Sequence, residues 1–156
     1  GKYADTISVC FSKGLGAPIG SMALSTSERI ASARVWRKRY GAGMRQVGIL
    51  AAAADYAITH HMSDLSHDHR RAKALATAIA QVDSSLINPA SVATNIVGLD
   101  LKALGTTAAE LAQRCKDSGL LIGALGPHFA RLVTHRDFDD AQCDQAIEIL
   151  RKALVA

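Results

Sequence analysis

Residues 6–11, "TISVCF", are β-branched and apolar; the run stops at Ser12 and Lys13, and "GLGAPIG" follows at once. The run predicts a strand over 6–11, and the glycines predict a loop over 14–20. Pro18 keeps a helix from starting inside that loop. The junction excludes two nucleotide-binding architectures. Gly14, Gly16 and Gly20 approach GxGxxG, but the last gap is one residue too long, and that fingerprint needs a helix N-terminus facing the pyrophosphate. In a P-loop the lysine follows the glycines, whereas Lys13 precedes them. The junction does permit a lysine at the end of a strand, beside backbone that can pack closely on a flat ligand. An amine is nucleophilic only when neutral, and partial desolvation at the inner end of a strand lowers its pKa. From the residues alone, a reactive amine and a plain turn lysine both stand as readings of Lys13.

Further along, residues 22–24 predict a second short strand. Ser25 and Glu28 have capping-box spacing, which predicts a helix over 26–39 carrying Ile30 and Trp36. "YGAGMRQ" (40–46) breaks it. A long helix is expected over 44–82, kinked near Ser63. Its first half is nearly all apolar and should be buried on most sides; its second half, "SHDHRRAKALATAIA", alternates charged and apolar faces and should lie on the surface. Strands are expected over 92–101, 120–124 and 130–135, the last two joined by a turn at Gly126–Pro127. Thr107 and Glu110 form a capping box for a helix ending at Gly119, with Ala108, Leu111 and Cys115 on one face. Asp137 is expected to cap a last helix whose Cys143, Ala146, Ile147, Leu150 and Leu154 make one stripe. The order helix, strand, helix, hairpin, helix predicts a small α/β sandwich with a partly antiparallel sheet. Residues 1–46 hold too little to make a core alone and read as the end of a larger sheet; residues 47–156 read as a domain.

Composition narrows the function. The chain is 49% hydrophobic but only 4% aromatic, so aliphatic side chains must fill the interior. No segment is apolar enough over bilayer length to span a membrane, and no signal peptide is apparent. The net charge of +4 and the basic run "RVWRKRY" (34–40) fit a solvated helix end as well as a phosphate-binding patch. Cys10, Cys115 and Cys143 are widely spaced and form no CxxC, so they are expected to be free thiols in a reducing cytoplasm. His60, His61, His67 and His69 scatter around a helix; only His60 and His67, with Asp64, share a face, and a surface helix is the expected reading. Asp139 and Asp140 are expected to serve as cap and dipole charges.

"SVCFSKGLGAPIGS" resembles the cofactor-lysine segment of the low-specificity L-threonine aldolases, pyridoxal-phosphate enzymes of the aminotransferase-like fold. "ARVWRKRYGAGMRQVGILAAAADYAI" resembles the next segment of that family, "ATNIVGLDL" its small-domain strand, and "ARLVTHRDF" its late arginine strand. The motifs run in family order over nearly the whole chain; Phe11 stands where leucine is usual and Ala42 where glycine is usual. The resemblance implies an α/β fold: residues 1–46 would be the C-terminal part of a large pyridoxal-phosphate-binding domain, and 47–156 a small C-terminal domain. It implies that Lys13 holds pyridoxal 5'-phosphate as an aldimine. Lys38 and Arg45 would reach the cofactor phosphate, in the family often from a neighbouring subunit. Arg131 would grip the substrate α-carboxylate; by strand periodicity alone, Arg131, Val133 and His135 share one face, which would bring His135 to the site. The implied reaction is retro-aldol cleavage of L-threonine or L-allo-threonine to glycine and acetaldehyde, in a cytoplasmic homo-oligomer, dimer or tetramer, with no nucleic-acid or membrane partner. The family's substrate-positioning histidine, its ring-stacking residue and its pyridine-pairing aspartate lie upstream of the lysine. The expectation is therefore the C-terminal half of an aldolase, inactive by itself. The alternative is a non-catalytic module acting as an oligomerisation or binding partner.

Overall fold

The computed structural model describes residues 2–156. The chain divides into two compact units, one ending at Ser63 and one spanning Asp64–Ala156.

The first unit opens with β1 (Ile7–Cys10) and β2 (Ser21–Leu24), paired antiparallel with Cys10 opposite Ser21. Two helices follow, α1 (Ser27–Arg39) and α2 (Gly48–His61). The cap of α1 differs from the expected one. Thr26 sits in extended backbone and its hydroxyl accepts from the Arg29 amide, while the Ser25 hydroxyl donates to the Asp5 carbonyl at 2.6 Å. Arg29 also reaches Asp5, Nη1 to Oδ1 at 3.1 Å, so the start of α1 is tied to the segment before β1. The buried apolar residues of this unit are few: Phe11, Leu15, Ala17, Ala54 and Ala57. Burial of α2 on most sides is not what the structure shows. Ile49 is 78% exposed and Tyr56 58% exposed, because the hairpin and α1 are too small to enclose an all-apolar helix.

The expected 44–82 helix is two helices. It breaks at 62–64, and α3 runs over Leu65–Val82. The Asp64 carboxylate, rather than capping α3, accepts from Arg136 Nη1 at 2.6 Å.

The second unit is a two-layer sandwich. β3 (Ile96–Asp100), β4 (Gly123–Gly126) and β5 (Phe129–Val133) form an antiparallel sheet in the order β3-β5-β4. α3, α4 (Ala108–Asp117) and α5 (Asp140–Val155) pack together and against the sheet. Side chains alternate across a strand. Val97, Leu99, Ala130 and Leu132 point inward and meet Leu75, Ile79, Leu111, Cys115, Cys143 and Leu150 in one core. The second half of the expected long helix has the alternating faces its sequence predicts: α3 buries Ala72, Leu75, Ala76 and Ile79 and leaves His67, Arg70 and Lys73 exposed. The strands are shorter than expected at 92–101 and 130–135, and the first strand of the late hairpin lies at 123–126 rather than 120–124.

The Thr107–Glu110 capping box is present in both directions. The Thr107 backbone and hydroxyl, with the Thr106 hydroxyl, hold the Glu110 carboxyl below its ordinary pKa. At α5 the cap is Asp139, not Asp137: its carboxylate accepts from the Gln142 amide, and Gln142 accepts from the Asp139 amide. Gln142 decides between the aspartates, since only Asp139 lies at capping-box distance from it. Asp140, in the first turn of α5, takes two bonds from Arg70 and one from Arg71 Nε at 2.7 Å, which hold its carboxyl below the usual carboxylate range, Arg71 first and Arg70 second. These bonds fasten α3 to α5. Arg71 also faces the buried Asp68 carboxylate at 3.5 Å. Among the described residues, no helix is long and apolar enough to cross a membrane.

Candidate active site

Lys13 leaves β1 at the mouth of a loop held by its own backbone. The Phe11 amide donates to the Gly20 carbonyl, Ala17 to Phe11, and Gly16 to Lys13. Gly16 at φ 73° and Gly20 at φ 117° take left-handed conformations, which glycine adopts without the Cβ clash. Phe11, Leu15 and Ala17 turn inward and seat the loop. Lys13 itself is exposed, which differs from the partial desolvation expected of it. The two-stranded hairpin of its own unit offers nothing to cover the strand end. Its amine has no hydrogen-bond or ion-pair partner among the described residues.

One contact on this loop could not be read from the sequence. His61, at the end of α2, donates from Nδ1 to the Leu15 carbonyl at 2.7 Å. It braces the loop that follows Lys13, a role that the scattered histidine spacing concealed. Replacing His61 with alanine removes that bond and is expected to speed exchange of the Gly16 and Ala17 amides by roughly five- to tenfold, the value of one net hydrogen bond. Native-state hydrogen exchange reads this, and unchanged rates at both amides would show that His61 braces nothing.

Lys38 and Arg45 flank the break after α1. Gly41 turns the chain at φ 79°, and Gly43 makes room for the Lys38 stem: a Cβ there would lie 3.0 Å from Lys38 Cδ. Both cationic groups are exposed and unpaired among the described residues. Gln46, next to Arg45, holds φ 53°, a conformation uncommon for a residue with a side chain.

Arg131 lies in the second unit. It sits on β5, on the face of the sheet that α3, α4 and α5 leave bare, with Phe129 and Val133 to either side. Its cross-strand neighbours are Gly98 on β3 and Gly123 on β4. The guanidinium therefore rises from a lane with no side chain directly across on either strand, and it is unpaired among the described residues. His135 lies beyond the end of β5, in the turn to α5, with its ring 6.4 Å from that of Phe138. It is carried by the turn, not by the strand face of Arg131.

Two thiols are chemically quiet. Burial pushes Cys115 up to about 11, and burial, then Asp144, raises Cys143. Cys10, half-buried, bonds Ser12 Oγ at 3.3 Å and is held below its ordinary value by that bond. Among the described residues, no group of three or more His, Cys, Asp or Glu is placed to hold a metal ion.

The fold is that of the pyridoxal-phosphate-dependent transferases. Serine palmitoyltransferase of Sphingomonas wittichii superposes with a TM-score of 0.73 at 18% identity, over 96% of this chain and 39% of that one. The beta-eliminating lyase family matches residues 1–102, and the chain belongs to that family. Low-specificity L-threonine aldolase 1 of Arabidopsis thaliana is 34% identical over 155 residues, 99% of this chain and 43% of that protein. The low specificity L-threonine aldolase of Escherichia coli K12 is 36% identical over 141 residues, 90% of this chain and 40% of that protein. The chain thus spans less than half the length of these curated relatives.

Proposed function

We propose that this chain carries the cofactor lysine and the carboxylate-binding arginine of a pyridoxal-phosphate-dependent aldolase that cleaves L-threonine or L-allo-threonine to glycine and acetaldehyde. The observation that carries the reading is the 34% identity with a threonine aldolase over 155 residues, joined to an unpaired Lys13 amine at the end of β1. In this reading residues 1–46 belong to the large domain and 47–156 form the small domain.

The residues present suit the cofactor. An aldehyde calls for a primary amine, and Lys13 offers one with no competing hydrogen-bond or ion-pair partner among the described residues. A phosphate dianion calls for cations, and Lys38 and Arg45 are both free to meet it, the first laid over Gly43. When bound, pyridoxal phosphate supplies an electron sink for the pair left on Cα as the Cα–Cβ bond breaks.

The chain's own groups do the rest. Lys13 Nζ must shed its proton to act as the covalent anchor. Lys38 and Arg45 neutralise phosphate charge and fix the register of the site. Arg131 presents two parallel N–H donors to the substrate carboxylate, a bidentate geometry that fixes direction as well as position. Held so, the bond to be broken is set in one orientation, and orientation alone is a large share of catalysis. In the same proposal the full-length protein is a homo-oligomer, dimer or tetramer.

The test is direct. Full-length protein loaded with pyridoxal phosphate and given L-threonine should release glycine and acetaldehyde in equal amounts, the aldehyde read with a coupled dehydrogenase. Glycine without an aldehyde, or no turnover of either isomer, would overturn the reading.

A further inference from the structure

The bare face of the sheet is not evenly open around Arg131. Gly98 lies directly across on β3, yet its space is taken. The Phe129 ring reaches diagonally over it, so that a Cβ at Gly98 would stand 2.9 Å from Phe129 Cζ and 3.2 Å from Cε2. On the other flank, a Cβ at Gly123 would meet only the Arg131 carbonyl at 3.5 Å and Leu125 Cδ2 at 4.0 Å. The β3 flank of Arg131 thus carries an aromatic ring in close contact with Gly98, whereas the β4 flank has only Leu125 at ordinary contact distance. Phe129 remains 45% exposed, so the ring is not there to fill the core. A sheet glycine covered by a neighbouring aromatic ring is a known way to pin a strand pair, and here the covered glycine is the cross-strand partner of the arginine.

We infer that Phe129 is a positioning residue for substrate recognition: its ring, seated on Gly98, closes the β3 flank of Arg131 and directs the guanidinium fork across the lane at Gly123. This rests on the reading of Arg131 as the carboxylate clamp. An arginine stem has several rotatable bonds, and a wall on one side removes the rotamers that lean that way, so less freedom is lost when the carboxylate arrives. The lane at Gly123 then sets the specificity. It admits a planar carboxylate, and an amide in its place would leave the fork without its charged partner.

The experiment uses full-length protein with its cofactor and compares glycine with glycinamide as ligands, by calorimetric titration, beside KM and kcat for L-threonine. Phe129→Ala should weaken glycine binding and raise KM roughly tenfold, the low end for a hydrogen-bonded charge pair, lower kcat by less, and leave glycinamide binding near that of the parent. Gly98→Ala should act in the same direction, since its new methyl group must displace the ring. Phe129→Tyr keeps the ring and should behave as the parent. Phe129→Leu serves if the alanine variant does not fold, and should give the same selective loss. Unchanged glycine affinity in the ring-deleted variant, or equal weakening of glycine and glycinamide, would overturn the role of Phe129. Arg131→Ala run alongside separates the two ideas. If it weakens glycine while the Phe129 variants do not, only Phe129 fails; if it changes nothing, the reading of Arg131 fails first.

Discussion

Replacing Lys13 with alanine is expected to lower aldol cleavage by the full-length protein on the order of a thousandfold or more, as loss of a covalent catalytic group does. The fold should be spared, because Lys13 is exposed and its side chain makes no hydrogen bond or ion pair among the described residues. The loop around it is held by backbone bonds from Phe11, Gly16 and Ala17, and these survive the change. Lys13→Arg sharpens the result. It keeps a positive charge on a long stem but removes the nucleophile, since a guanidinium does not deprotonate at any working pH. The arginine variant should therefore be as inactive as the alanine one. An active Lys13→Arg enzyme would mean that position 13 supplies only charge, the plain turn lysine that the sequence also allowed.

The second large effect is expected at Arg131. Arg131→Ala should raise KM for L-threonine roughly a hundredfold, since two charge-assisted bonds to the carboxylate are lost together. Because the same contact orients the scissile bond, kcat should fall as well, though by less. Arg131→Lys should lie between, as an ammonium offers the charge but not the planar fork. Stability should change little, for Arg131 lies on the uncovered face and makes no ion pair among the described residues. A Michaelis constant unchanged by Arg131→Ala, measured by acetaldehyde release, would remove this residue from the site.

What could be read from the sequence follows physical range. Short-range chemistry was legible. The Lys13 junction announced itself through glycines and Pro18, and the Thr107–Glu110 box lies within one helical turn. Where two local signals compete, the nearer reading can fail. Asp137 and Asp139 both offer a cap, and Gln142 settles it; Ser25 lost to Thr26 because Asp5 claims the Ser25 hydroxyl. The kink expected near Ser63 is a full break at 62–64, but nothing near it says that the Asp64 carboxylate there meets Arg136, far along the chain. Contacts between distant segments were invisible for the same reason. Nothing near His61 says that it reaches Leu15, and nothing near Gly98 says that Phe129 will lie over it. Lys38, Arg45 and Arg131 were nominated by resemblance. The structure leaves each cationic group exposed and unpaired among the described residues.

The covalent anchor is the centre of this account, and it can be trapped. Protein incubated with pyridoxal phosphate, reduced with borohydride, digested and mapped by mass spectrometry should carry the pyridoxyl group on the peptide containing Lys13, in clear preference to every other lysine. Label spread over the surface lysines, with Lys13 no more modified than Lys2, Lys102 or Lys152, would contradict it.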